Sequence, residues 1–372
     1  MRSAVSIRSS RFANIALAVL LAAGSAVLLA LPASPRLING GDARKVRARV
    51  VSVDDSSLAR HGFMEFGTQR LKVELADGRI MRADNEIRAQ LELDKKFVPG
   101  DVALVVLPEN AGDDDVLIAS DHWRLGWAAA IFLAFAVLLC IFGGWSGARA
   151  LFTFFFSCLA IWKFLVPAAL SGHDARIVCF ACVAILSAVI VFSIAGISRT
   201  GAAAFAGSLL GVSTSLVLAD VFAAAMHVNG ATMPFVQQLL YSGAPELDMA
   251  NIFCGAAILA ASGAVMDLAM DVASGVAEVA RHNPSLGFRV LFASGLNIGR
   301  AVVGTMATTL LLAYSGGYLT LLMVFAATGT APADFLNSTL VSAEFVKTFV
   351  GSFALVLVAP FTSAVSAAVF RK

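Results

Sequence analysis

Charged residues are scarce in this sequence. They make up 14% of its 372 residues, whereas hydrophobic residues make up 59%; soluble proteins carry about 25% charged residues. A chain with so little charge cannot cover a compact fold with polar surface, so its composition indicates a protein with several membrane-spanning helices. The formal net charge is only +2. No basic patch is interleaved with aromatic residues, which excludes nucleic acid as a partner.

Known catalytic and metal-binding motifs are also missing. Cys179 and Cys182 form a C-x-x-C pair in an apolar segment, without the second pair of ligands that a structural zinc site needs. The sequence contains neither H-E-x-x-H nor G-x-S-x-G. Asp267 and Asp271 lie on one predicted helix, whereas an aspartyl dyad needs two opposed carboxylates. We therefore predict no catalytic residue, no metal site and no cofactor.

The chain begins with a basic segment and an apolar run. Residues 1–11 contain three arginines and no acid, and residues 12–31 form an apolar run without a charged residue. This pattern is typical of a cleaved signal or of a signal anchor. The run is long for a signal, so we favour a transmembrane anchor over 12–31 with residues 1–11 in the cytoplasm.

Residues 44–118 have the pattern of a small all-β domain. Short alternating segments rich in β-branched residues are separated by turn signals, among them Asp77-Gly78, which is typical of a hairpin. We predict a barrel or sandwich of about five strands, similar to an OB-fold. Because the first helix exports it, we expect the domain outside the cytoplasm. It either binds a ligand or an envelope partner or caps the membrane domain.

The remainder, 124–372, is predicted to be a multi-helix membrane domain. Its apolar segments of spanning length are 124–142, 150–170, 177–196, 201–226, 251–273, 289–314 and 347–369. With the anchor they make about eight transmembrane helices. The predicted cytoplasmic segments contain Arg149, Arg199, Arg281, Arg289, Arg371 and Lys372, as the positive-inside rule requires. Residues 317–331 are too short an apolar run to span, and a re-entrant or interfacial segment fits them.

One of these predicted helices, 251–278, carries acids on a single face. At 100° per residue, Asp267, Asp271 and Glu278 lie close together on the helix wheel, and Gly263 extends the stripe. Carboxylates that face lipid cost roughly 2.5–3.5 kcal/mol each at the helix centre. We therefore expect the stripe to face protein or water.

The next predicted helix, 288–314, has a matching polar stripe. Asn297, Arg300, Gly304 and Thr308 share one face. In an antiparallel hairpin, Arg300 faces Asp267 or Asp271, and the charges compensate each other. Depths counted from the predicted helix ends separate Asp267 from Arg300 by about 10 Å. The pair is therefore either a structural clamp or two points on a polar path.

Asp220 lies near the outer end of the segment 201–226 and is the remaining candidate for an intramembrane polar path.

Small residues four apart allow helices to approach closely. The glycines that we assign to helix packing are Gly207, Gly211, Gly263, Gly295, Gly299 and Gly304.

The predicted helices 251–278 and 288–314 contain sequence motifs that resemble those of a known family. GAVMDLAMDVASGVAEVARHNP, followed by SGLNIGRAVVGTMATTLLLAYSGGYL and later by EFVKTFVGS, is similar to the pattern of the YibE/F-like family of bacterial polytopic membrane proteins. Two positions depart from that pattern. Ala301 stands where the family has an acid, and Asp271 stands where the family has a serine-like residue. The resemblance implies a membrane protein and implies no established chemistry.

Two functions fit these observations. The first is a transporter or channel in the bacterial inner membrane, with a polar path for protons, cations or a small solute between helices 251–278 and 288–314. The alternative is an accessory or scaffold protein of the same membrane, whose exported β domain binds an envelope partner. Besides the lipid bilayer itself, the sequence does not name a partner or an oligomeric state.

Overall fold

The computed structural model describes residues 23–30, 44–108, 112 and 115–371. The chain folds into two compact units, with a boundary between Leu138 and Leu139. We describe each unit by itself. The predicted basic segment and most of the predicted anchor lie outside the described residues. Within the anchor, residues 23–30 are helical and are termed α1.

The first unit is a six-stranded β structure. Its strands are β1 (Arg44–Asp54), β2 (Leu58–His61), β3 (Met64–Leu75), β4 (Ile80–Arg88), β5 (Val102–Leu107) and β6 (Val116–His122). Five of the strands close into a ring in the order β1-β3-β4-β6-β5, and β5 pairs again with β1. The β4–β6 pair is parallel and the other four pairs of the ring are antiparallel. This closed ring is the predicted five-stranded barrel rather than a sandwich.

The barrel strands follow the alternation of the sequence. Along β3 and β4, every second residue is buried, and the inward residues include Leu71, Val73, Met81 and Ala83. Asp77-Gly78 forms the predicted turn between these two strands, with φ 84° at Gly78. The carboxylate of Asp77 accepts a hydrogen bond from the backbone N–H of Arg79 at 3.1 Å, which fixes the turn.

A polar network lies inside the barrel. The Gln69 side chain is fully buried; its Nε2 donates to Phe97 O at 3.0 Å, and its Oε1 accepts from Phe97 N at 2.9 Å. Its Nε2 also donates to Asp55 Oδ1 at 2.8 Å. Buried Asn85 donates to Gln69 Oε1 and to the carbonyl of Lys95. The network ties the irregular segment before β5 to the barrel wall, because these backbone groups have no strand partner.

The second unit is helical, and the first long helix crosses the boundary between the units. The helices are α2 (Leu125–Ala160), a π-helical turn (Ile161–Leu165), α3 (Val166–Leu170), α4 (Ala175–Ala195), α5 (Arg199–Ala225), α6 (Val236–Tyr241), α7 (Met249–His282), α8 (Phe288–Gly317), α9 (Leu319–Ala327), α10 (Pro332–Asn337) and α11 (Thr339–Phe370). Within the described residues, six helical stretches are long and apolar enough to cross a membrane: 125–170, α4, α5, α7, α8 and α11. At nine residues, α9 is too short to span, as expected for the segment 317–331.

The first of these stretches is not one straight helix. Its 46 residues would extend about 69 Å, more than twice the thickness of a bilayer core. Gly144 breaks it with φ 52° and ψ −127°. A Cβ atom placed on Gly147 would collide with the carbonyl of Leu139, although residues so far apart in a straight helix are separated by about 12 Å. The chain therefore doubles back at Gly144.

The centre of the helical unit is the contact between α5, α7 and α11. A Cβ on Gly207 would collide with Thr362 of α11, and a Cβ on Gly211 would lie 2.8 Å from Val265 of α7. Val265 and Val358 are fully buried in the same core. The predicted small-residue pair on α5 is thus a close helix contact.

We expect Gln69→Leu to lower the free energy of unfolding of the fragment 44–122 by about 2–4 kcal/mol, because the N–H and carbonyl of Phe97 lose their partners in the interior. Urea unfolding followed by circular dichroism measures the change. The matched control is Gln90→Leu, because Gln90 is exposed and its replacement should leave the midpoint unchanged. A random-coil spectrum of the unsubstituted fragment would contradict independent folding of the barrel.

Candidate functional site

The contacts between α7 and α8 fix their antiparallel register. A Cβ on Gly299 would lie 3.7 Å from Val272, and a Cβ on Gly295 would lie 3.0 Å from Val276. One residue forward from Gly299 is Arg300, and one residue back from Val272 is Asp271. Arg300 and Asp271 therefore lie at the same depth, and Asp267 lies about 6 Å away along the axis. This register replaces the separation of about 10 Å that we estimated from the predicted helix ends.

The polar stripes of α7 and α8 lie on one exposed side of this hairpin. On α8, Gly295 and Gly299 are buried against α7 and α11, and the stripe is turned away from them. On α7, Val265 and Val272 are fully buried, whereas the stripe is exposed. We use the term polar face for the exposed residues Gly263, Asp267, Asp271 and Ser274 of α7 and Asn297, Arg300, Gly304 and Thr308 of α8.

Among the described residues, the polar face is therefore on the outside of the helical unit. The sequence had led us to expect a polar path enclosed between the two helices. The reason is the placement of small residues. Gly275 contacts Ile298, and Gly295 and Gly299 contact α7 and α11. These close approaches turn the opposite sides of both helices outward.

The charges of the polar face are not paired within the described residues. Arg300 Nη1 donates to Asn297 Oδ1 at 3.4 Å. In that part of the chain, Asp267 and Asp271 have no basic partner within ion-pair distance and Arg300 has no carboxylate. The hydroxyl of Thr308, on the same face, does have a partner: its Oγ1 donates to the carbonyl of Gly304 at 3.0 Å. An uncovered carboxylate at this depth costs roughly 2.5–3.5 kcal/mol against lipid.

Glu278 and Asp220 are held elsewhere. Glu278 forms an ion pair with Arg281 near the end of α7, so its charge is compensated locally. Asp220 Oδ1 accepts from Arg176 Nη1 at 3.1 Å, and Arg176 also pairs with Asp174 at 2.7 Å. The hydrogen bonds from Arg176 hold the pKa of Asp174 below its usual range. The Asp220 cluster is separate from the polar face.

The six glycines assigned to packing fall into two groups. Gly207, Gly211, Gly295 and Gly299 each have a neighbouring helix where a Cβ would stand. Gly263 and Gly304 have open space there. These two glycines belong to the polar face and make no close contact with another described helix.

A second polar cluster contains Glu344 and Lys347, whose spacing of one helical turn predicts a local ion pair, together with two tyrosines that the sequence analysis did not single out. Lys347 Nζ donates to Glu344 Oε1 at 2.8 Å, and both side chains are about 15% exposed. Lys347 lies 5.3 Å from the ring centroid of Phe253 and 5.9 Å from that of Tyr318. Glu344 Oε2 and the hydroxyl of Tyr314 are buried without a hydrogen-bond partner among the described residues. The spacing of Tyr314 and Tyr318, one turn apart, is the sequence signal for this cluster.

The helices and the polar face define a multi-pass α-helical membrane protein with a β-barrel domain. The sequence pattern of the YibE/F-like proteins matches residues 131–372, which include α4 to α11 and the whole polar face. The chain belongs to the YibE/F-like family. No curated protein and no solved structure matches it.

We expect Gly299→Val to destabilise the helical unit by about 1–3 kcal/mol, because the added atoms meet Ala359 and Val272 in a packed contact. Gly316→Val is the matched control on the same helix, since no described atom lies within 4 Å of its Cβ position and Gly316 lies outside the polar face. The thermal stability of the detergent-purified protein measures both. Equal losses in the two variants would contradict the assignment of Gly299 to packing.

Proposed function

We propose that the protein is a transporter or channel of the bacterial inner membrane and that the polar face is part of its path. The observation that carries this proposal is the set of unpaired charges at the middle of apolar, membrane-length helices. Asp267 and Asp271 on α7 are exposed, and Arg300 on α8 is level with Asp271. Ionisable groups at such positions are costly and are typical of ion or solute pathways.

The three charges suggest what the path carries. Two carboxylates and one guanidinium leave one negative charge on the polar face, so a single proton or monovalent cation neutralises it. The carboxylates lie one helical turn apart, about 6 Å along the axis, which allows a cation or proton to pass from one to the other. In this scheme Asp267 and Asp271 bind the cation or proton, and Arg300 stabilises whichever carboxylate is unoccupied.

We also propose an orientation. With the apolar run 12–31 and with the two arms on either side of Gly144, the chain crosses the membrane eight times and begins in the cytoplasm. The turn at Gly144, with Arg149 nearby, then lies on the cytoplasmic side, where positive residues are favoured. Arg176 lies near the outer side, where Asp174 and Asp220 compensate its charge. The β-barrel domain is then extracytoplasmic.

A specific observation on the barrel supports a second function, that of an accessory protein. Phe63 and Leu91 are 72% and 75% exposed, and with Met64 they line one surface depression beside Lys96. Large apolar side chains grouped on a surface are typical of protein interaction sites. In this alternative, an envelope partner binds there and the helical unit acts as a scaffold.

We expect Asp267→Asn and Asp271→Asn each to abolish flux, because neither amide can bind a proton or exchange a cation as a carboxylate does. The measurement is proton or cation flux into liposomes that contain the purified protein, driven by a pH or cation gradient. Asp334→Asn is the matched control, since Asp334 is exposed on α10, away from the polar face. Normal accumulation of all three variants is required for this comparison.

The accessory alternative leads to the opposite result. In that case Asp267→Asn and Asp271→Asn keep full activity in cells, whereas Phe63→Ser and Leu91→Ser lose it. This result would reject the path and favour the scaffold. We expect the two serine variants to retain flux in liposomes, because their side chains lie in the barrel unit. Cellular activity and liposome flux therefore separate the two functions.

A further inference from the structure

We propose that the polar face of α7 and α8 is the contact surface between two copies of this chain, with Asp271 of one copy paired with Arg300 of the other. The second copy would enclose the path proposed above, and this consequence rests on the proposed function. The exposure, depth and charge of the polar face support the contact itself.

The described residues leave the polar face uncovered. Asp267, Asp271 and Arg300 are exposed, although α7 as a whole is the most buried of the candidate membrane spans. The other sides of α7 are packed against α4, α5, α8 and α11. An exposed charged stripe on an otherwise enclosed membrane helix requires a polar partner.

Two-fold symmetry also favours a second copy as the partner. Two copies in one membrane have the same orientation, so a two-fold axis between them runs along the membrane normal. Such a rotation keeps every residue at its own depth. Because Arg300 and Asp271 are level within one copy, they are also level between copies. A single rotation then brings together two equivalent pairs of opposite charge.

The polar face is shaped for close approach. Gly263 and Gly304 have no described atom within 4 Å of their Cβ positions, so they leave shallow places beside the charged side chains. By the same register, Gly263 is level with Thr308 and Gly304 is level with Asp267. Small residues at such positions allow two membrane helices to come into contact.

A segment of the same chain is a poorer occupant. The described part of the first apolar run, α1, lies beside Phe156, because a Cβ placed on Gly24 would lie 3.3 Å from the ring. The residues of that run, 12–31, include no Asp, Glu, Lys or Arg. They offer no charge to Asp267, Asp271 or Arg300, whereas a second copy offers both signs at the required depth.

The test uses the full-length chain with two different tags, expressed together and purified through one tag. Wild-type copies should co-purify. Asp271→Arg in both copies, or Arg300→Asp in both copies, should reduce the recovered partner about tenfold, which corresponds to roughly 1.4 kcal/mol. When one copy carries Asp271→Arg and the other carries Arg300→Asp, both pairs again have opposite charges, and recovery should return.

This rescue between copies separates the two places where the pair can form. If recovery returns only when both substitutions are in the same chain, the pair is internal and the proposal is wrong. Asp334→Arg, at an exposed position on α10, is the matched control for added charge and should co-purify normally. If wild-type copies fail to co-purify, the polar face is covered by lipid, water or another protein, and the proposal is likewise wrong.

A second measurement keeps the native charges, in case the charge variants fail to fold. One copy carries Gly263→Cys and the other carries Thr308→Cys, in a background where Cys140 and Cys158 are replaced by alanine. Mild oxidation in membranes should give a disulfide-linked dimer. Gly263→Cys with Val217→Cys is the control, because Val217 is 60% exposed on α5. Equal cross-linking in both combinations would overturn the proposal.

The two proposals fail separately. If Asp271→Asn loses flux and the copies do not associate, only the second copy is rejected. If Asp271→Asn keeps normal flux and association is rescued between copies, only the path is rejected. The polar face would then be a structural contact between two copies.

Discussion

A charged side chain within an apolar helix must find an opposite charge, water or a proton, and this requirement governs the helical unit. Arg176 meets it through Asp174 and Asp220, and Lys347 meets it through Glu344. Asp267, Asp271 and Arg300 do not meet it within the described part of the chain. The charges of Arg176 and Lys347 are therefore compensated by neighbouring carboxylates, whereas the described residues do not compensate the charges of the polar face.

Glycine contacts determine which side of each helix is left open. Gly207 and Gly211 bring α5 against α11 and α7, and Gly295 and Gly299 bring α8 against the same two helices. Each close contact fixes the rotation of a helix about its axis. Once α8 is seated through these glycines, Arg300 has to point outward. Backbone packing and the position of charge are thus consequences of one pattern of small residues.

Much of this arrangement could be predicted from the sequence. Alternation and turn residues indicate the barrel, and apolar length indicates the helices, because both signals are local. The stripe of Asp267 and Asp271 follows from helical spacing in the same way. The depth of Arg300 relative to Asp271 could not be predicted, since it depends on which turn of α7 meets Gly299. The sequence also could not tell Gly304, which is open, from Gly299, which is packed.

The connectivity of the barrel has a consequence for synthesis. The first strand, β1, closes the ring by pairing with β5, and Arg44 lies opposite Leu107. During translation β1 emerges long before that partner exists, so one of its edges stays unpaired while some sixty residues follow. Contacts so distant in sequence form late and slowly. A ribosome-bound or translocating chain therefore presents an open sheet until β6, which pairs with both β4 and β5, is also released, and the barrel closes as a last step rather than strand by strand.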